Sequence, residues 1–120
     1  MGLPAAFRAH QKGDLKLASK HYKRALDQKD FQPALFQNYG AILRELGAVD
    51  KAEKIYNKGL ALFPKHRGIR LNYANLIRSS RPFESFSIHF SLLTEKIHEG
   101  SEKISASEIS PIVEILEELG

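Results

Sequence analysis

Two different blocks of this chain recur at one interval of 34 residues, and no other feature limits its fold as sharply. Residues 13–26, GDLKLASKHYKRAL, and residues 47–60, GAVDKAEKIYNKGL, pair Gly13 with Gly47, Ala18 with Ala52, Lys20 with Lys54, Tyr22 with Tyr56 and Leu26 with Leu60. Residues 38–43, NYGAIL, and residues 72–77, NYANLI, pair Asn38 with Asn72, Tyr39 with Tyr73 and Leu43 with Ile77 at the same interval. A period of that length describes two antiparallel helices that cannot bury their apolar face alone and must stack on their neighbours.

Residue types then assign roles inside each unit. The small residues Ala18, Gly40, Ala52 and Ala74 allow helix backbones to approach, while Tyr22, Tyr56, Leu26 and Leu60 fill the space between hairpins. Gly13 and Gly47 fall where a helix should end, since glycine accepts the left-handed conformation of a C-terminal cap. Pro64 ends a helix expected to begin near Asp50, and Pro33 suits a first helical turn.

Residues 33–64, PALFQNYGAILRELGAVDKAEKIYNKGLALFP, resemble a complete tetratricopeptide repeat. The positions that carry the resemblance are Phe36, Tyr39-Gly40, Leu43, Ala52, Tyr56, Gly59 and Pro64. The departures are Phe36 for the usual Trp, Tyr39 for Leu and Gly59 for Ala, the last at a cost of about 1 kcal/mol in a helix interior. Residues 4–30 read as a shortened repeat, and residues 67–99 as a divergent one whose second helix, 82–99, carries Phe83, Phe86, Phe90, Leu93 and Ile97 at helical spacing. Those phenylalanines are expected in the core. A capping helix is expected over 110–119, with Ser110 as N-cap, Pro111 at the first helical position and an acidic, polar outer surface. The expected fold is therefore all-α, an αα-hairpin superhelix of two to three repeats plus C-terminal capping helices, in a single domain over 1–120.

Composition narrows function by exclusion. With no cysteine there is no disulfide, thiolate metal site or cysteine nucleophile, and a reducing, cytoplasmic setting is expected. No window approaches the roughly 18 apolar residues of a membrane span, so no membrane partner is expected. No Gly-rich phosphate loop, HExxH or GxSxG occurs, and the five histidines are scattered, so neither catalytic residues, nor a metal site, nor a cofactor is expected. His89, inside an aromatic stretch, reads as a core or boundary residue rather than a ligand. Charge is uneven: residues 1–81 carry 16 Lys+Arg against 6 Asp+Glu, and residues 82–120 carry 2 against 8. That asymmetry fits solvated helix faces, recruitment of an acidic partner, or an acidic C-terminal segment folding back on the basic repeats.

The resemblance implies a protein or peptide bound along the first helices of the repeats. Asn38 and Asn72 lie one period apart and stack on one surface, similar to the asparagine ladder of O-linked N-acetylglucosamine transferase repeats. An amide there can donate to and accept from a peptide backbone. Arg44 and Arg78 repeat the interval and serve either a partner's carboxylate or phosphate or the ends of their own helices; Gln37, Asn75 and Arg70 are expected neighbours. The expected function is an interaction module that holds an extended partner in a groove, the alternative being the N-terminal targeting or regulatory part of a larger enzyme such as a glycosyltransferase. Nucleic acid is disfavoured because the repeat already claims the Tyr and Phe side chains needed for stacking. Weak homo-oligomerisation is expected from the apolar ends of so short an array.

Overall fold

The computed structural model describes residues 2–100 and 103–120, in which every regular element is a helix. These are α1 (Gly2–Gln11), α2 (Leu15–Asp27), α3 (Pro33–Glu45), α4 (Val49–Leu62), α5 (Arg67–Ile77), α6 (Pro82–His98) and α7 (Ala106–Leu119). The all-α hairpin architecture expected from the 34-residue period is the one observed. The chain divides into two compact units, one ending at Asn72 and one running from Tyr73 to Gly120.

In the first unit α1 packs on α2, α2 on α3 and α3 on α4. Both predicted glycine caps form: Gly13 and Gly47 have φ of +79° and +82°. Each follows a Schellman pattern, in which Gly13 N donates to His10 O and Asp14 N to Ala9 O, and Gly47 N to Arg44 O and Ala48 N to Leu43 O. Asp14 then caps the next helix by accepting from Leu17 N at 3.1 Å. Pro33 opens α3 as its first residue, where its missing N–H costs nothing. Tyr22, Phe36, Tyr56, Leu35, Ile42 and Ile69 are fully buried, each contributing roughly 1.5–3 kcal/mol by leaving water. Leu26 and Leu60 remain half-buried, so the tyrosines do most of the filling.

The unit closes tightly at two glycines. A Cβ at Gly40 would collide with the Tyr56 ring, and one at Gly59 would lie 2.6 Å from Phe36 Cβ. Gly59 thus departs from the usual alanine because Phe36 occupies the methyl's place. Gly59→Ala, which helix propensity alone would favour by about 1 kcal/mol, is expected instead to destabilise the protein by about 1–3 kcal/mol through overpacking. Urea denaturation followed by circular dichroism measures this, and a gain in stability would show that Phe36 repacks freely.

In the second unit α6 is tied to α5 by the buried Ser85 hydroxyl, which donates to Ala74 O at 2.8 Å. Helix α7 packs on α6. It begins four residues before the expected Ser110, because Glu108 reaches back to accept from Ser105 N at 3.2 Å and Ser105 Oγ at 3.0 Å, making Ser105 the N-cap. Pro111 therefore lies inside the helix, beyond its first turn. Glu108 also receives Lys96 Nζ at 2.7 Å, and these donors, Lys96 first, hold its carboxyl down to about 2. The outer surface of this helix is mixed rather than wholly polar: Glu114, Glu117 and Glu118 are exposed, but so are Ile109, Val113, Leu116 and Leu119, while Ile112 and Ile115 are buried. Nor does the phenylalanine cluster form core, since Phe83 is 74% exposed and Phe90 49%.

His89 does lie in the core, and its Nε2 has no hydrogen-bond partner among the described residues. Burial, and secondarily the Arg78 charge, pull its pKa below the ordinary 6.5. The unfolded chain then takes up a proton that the folded unit refuses, so stability falls as pH drops below 6.5. Thermal melts between about pH 7.5 and 5.5 should show this slope in the wild type and a shallower one in His89→Leu. Equal slopes would exclude His89 as its source.

Candidate functional site

On the first unit, Ala41, Arg44 and Glu45 of α3, Tyr56 of α4 and Asn72 of α5 line an open concavity of about 310 Å³. Its geometry follows from the repeat. Tyr56 points its ring into the core over Gly40. Asn72, one turn past Gly68, is brought against α3, where its Nδ2 donates to the Gln37 carbonyl at 3.3 Å. Burial pushes the pKa of the Tyr56 hydroxyl up to about 12 against the opposing influence of Arg44 and Asn72. Tyr56 consequently keeps its proton at any physiological pH and presents a hydroxyl, not a base.

The same pairing recurs one period earlier. Burial raises the Tyr22 phenol while the Asn38 side chain opposes the shift. The contact is looser there, because the Tyr22 hydroxyl makes no hydrogen bond of standard geometry among the described residues. Each asparagine of the predicted ladder thus attends the tyrosine of the preceding hairpin. Sequence reasoning singled out Tyr22, Tyr56, Asn38 and Asn72 but not their pairing. The available signal was that each asparagine follows its tyrosine by 16 residues in both repeats.

The other predicted residues divide between the units. Gln37 is half-buried on α3, its side chain lying where a Cβ on Gly68 would need to be. Arg44 is exposed in the last turn of α3. Asn75 and Arg78 belong to the second unit. There the Arg78 guanidinium binds two carboxylates of α7, Glu114 and Glu118, each at 2.8 Å, so its donors are engaged within the chain. The acidic C-terminal helix does fold back on a basic residue, but on Arg78 and, through Glu108, on Lys96. His66 is a helix cap, its Nδ1 accepting from Ile69 N at 3.2 Å. Among the described residues no group of three or more His, Asp or Glu side chains is placed to hold a metal, and no helix is long and apolar enough to cross a membrane.

Helical hairpins joined by Schellman turns and closed by interlocking tyrosine and glycine define this chain as an all-α helical-repeat protein. Residues 33–76, spanning α3, α4 and nearly all of α5, match the family model described as tetratricopeptide repeat. No curated protein matches the chain.

The double engagement of Asn72 gives it a structural share. Asn72→Ala, which strips a donor from the Gln37 carbonyl and removes the amide beside Tyr56, is expected to cost about 0.5–1.5 kcal/mol in urea denaturation. An unchanged midpoint would mean that water replaces both contacts without loss.

Proposed function

We propose that this chain is a protein–protein interaction module, and that its first unit takes an extended segment of a partner protein along Gln37, Asn38, Arg44 and Asn72. The observation that carries this reading is the gathering of Arg44, Tyr56 and Asn72 around one open concavity, with the Tyr22 and Asn38 pair repeating part of it one period away. The chemistry follows from what each group has already spent. The Asn72 amide nitrogen donates to Gln37 O, and its remaining N–H and its carbonyl oxygen are the groups that would meet the partner's backbone. Such a contact reads an extended main chain rather than a particular side chain. Arg44, exposed at the rim, supplies a fork for a carboxylate.

Charge supports an acidic partner. Residues 1–72 carry 14 Lys+Arg against 6 Asp+Glu, which steers an anionic segment toward the unit and speeds its encounter. Arg78 and Asn75 stay outside the proposed site, the former because α7 already holds its guanidinium. The Tyr56 hydroxyl keeps its proton near neutral pH and so offers a partner a hydrogen bond rather than a base.

The test is affinity capture from lysate with mass-spectrometric identification, using wild type, Asn38→Ala/Asn72→Ala and Arg44→Glu, all matched for helicity. A photo-crosslinking residue placed at Ala41 identifies which captured protein lies in the concavity. The expected outcome is one crosslinked protein whose affinity drops about tenfold or more in both variants, with Arg44→Glu also flattening the salt dependence. A partner that crosslinks at Ala41 yet binds all three proteins equally removes the asparagines and Arg44 from the site.

A further inference from the structure

We propose that α7 docks a helix of a partner protein, cationic along one edge, on the apolar stripe Ile109, Val113 and Leu116. The site lies within the second unit and does not depend on the function proposed for the first. Helix α3, the first helix of a complete hairpin, shows how such a stripe is used. Tyr39 turns toward the preceding helix, its ring 6.0 Å from that of Tyr22 on α2. Phe36 and Gly40 turn toward the following helix, where they meet Gly59 and the Tyr56 ring of α4. Leu35, Tyr39 and Ile42 therefore make one face and Phe36, Gly40 and Leu43 the other, each spaced by four and then three residues, and all six are buried.

Helix α7 carries the same two faces with one of them bare. Glu108, Ile112 and Ile115 have the spacing of Leu35, Tyr39 and Ile42 and serve the preceding helix: Glu108 binds Lys96 of α6, and both isoleucines are buried. One residue further on, Ile109, Val113 and Leu116 take the places of Phe36, Gly40 and Leu43. They are 43%, 44% and 53% exposed, although in α3 those places lie under a second helix. The stripe has the form of a helix seat, and its apolar side chains are disfavoured in water.

Chemistry along the stripe selects the kind of helix. Val113 stands where α3 has Gly40, so its branched side chain fills the space that admits a tyrosine ring there, and the partner presents a small residue such as alanine at that point. Beside the stripe a concavity of about 380 Å³ is lined by Ala106, Ile109, Ser110, Val113, Glu114 and Glu117. Helix α7 has four glutamates and no Lys, Arg or His. Lys96 takes Glu108, and Arg78 takes Glu114 and Glu118, which leaves Glu117, exposed at the rim, to answer a cation from outside. Residues 73–120 as a whole carry 4 Lys+Arg against 8 Asp+Glu, so the field of the unit also draws a cationic segment. An amphipathic helix with lysines or arginines on the edge beside Glu117 meets both demands.

Fluorescence anisotropy with labelled synthetic peptides tests this on the full chain. Each peptide is an amphipathic helix with leucines flanking a central alanine on its apolar face, and its polar edge carries either lysines or glutamates. Binding at α7 is the part lost in Ile109→Gln/Leu116→Gln, two exposed positions where glutamine is a good helix former, so helicity is kept. The lysine peptide is expected to bind there and the glutamate peptide to bind at least about tenfold more weakly, with Glu117→Lys narrowing or reversing the preference. Changing the central alanine of the lysine peptide to tyrosine is expected to weaken its binding to wild type about tenfold, and Val113→Ala to restore it. The proposal is overturned if the lysine peptide binds Ile109→Gln/Leu116→Gln as well as wild type, if neither peptide binds, or if both bind equally at this face. Self-association of wild type in sedimentation equilibrium that Ile109→Gln/Leu116→Gln removes would also overturn it, by giving the stripe to a second copy.

Discussion

Tyr56 stands over Gly40 with no room for a Cβ between them, and much of the first unit follows from that contact. The ring fills the gap that two helices leave when their backbones approach, and burying it brings the phenol oxygen up to the edge of the concavity with Arg44 and Asn72. A buried hydroxyl needs a partner. The side chain of Asn72 lies beside it while bonding the Gln37 carbonyl, so one packing decision fixes both the spacing of the hairpins and the polar lining of the surface beside them. One period earlier Asn38 influences Tyr22 in the same sense, but there the buried hydroxyl has no hydrogen-bond partner among the described residues.

The second unit is governed by different forces. Beside a small apolar core of Tyr73, Ala74, Ile77, Leu92, Ile112 and Ile115, its helices are joined by a few directed polar contacts: Ser85 to Ala74 O, Arg78 to Glu114 and Glu118, and Lys96 to Glu108. Most of these ion pairs are at least partly exposed, and such pairs are individually worth little. Apolar burial is also incomplete there, because α6 and α7 both expose large side chains. The acidic excess after residue 82 is used in part to answer Arg78 and Lys96 inside the same unit. Of the three accounts that the charge asymmetry allowed in the sequence, the internal fold-back is thus met in part.

Legibility followed the strength of local rules. Gly13 and Gly47 announced helix ends because a left-handed cap excludes most other residues, and Pro33 announced a start because its ring fits only there. The start of α7 was misplaced because Ser110-Pro111 satisfies the same local rule as Ser105 with Glu108, and only the actual bonds of Glu108 distinguish them. Phe83 and Phe90 were misread because periodicity shows that a helix has an apolar face but not whether anything covers it. Gly59 looked like a mild defect until Phe36 was found in the space of the missing methyl.

The sequence by itself determined the period, the helical class, the hairpin turns and the residues that pack them, since each is dictated by spacing or by backbone conformations open to few residue types. Tertiary structure alone decided which side chains meet. It brought Asn38 beside Tyr22 and Asn72 beside Tyr56, engaged Arg78 with α7 while leaving Arg44 exposed, and left one face of α6 uncovered. The reason is physical: a helical period fixes a direction around one axis, whereas a contact depends on what a neighbouring axis places in that direction.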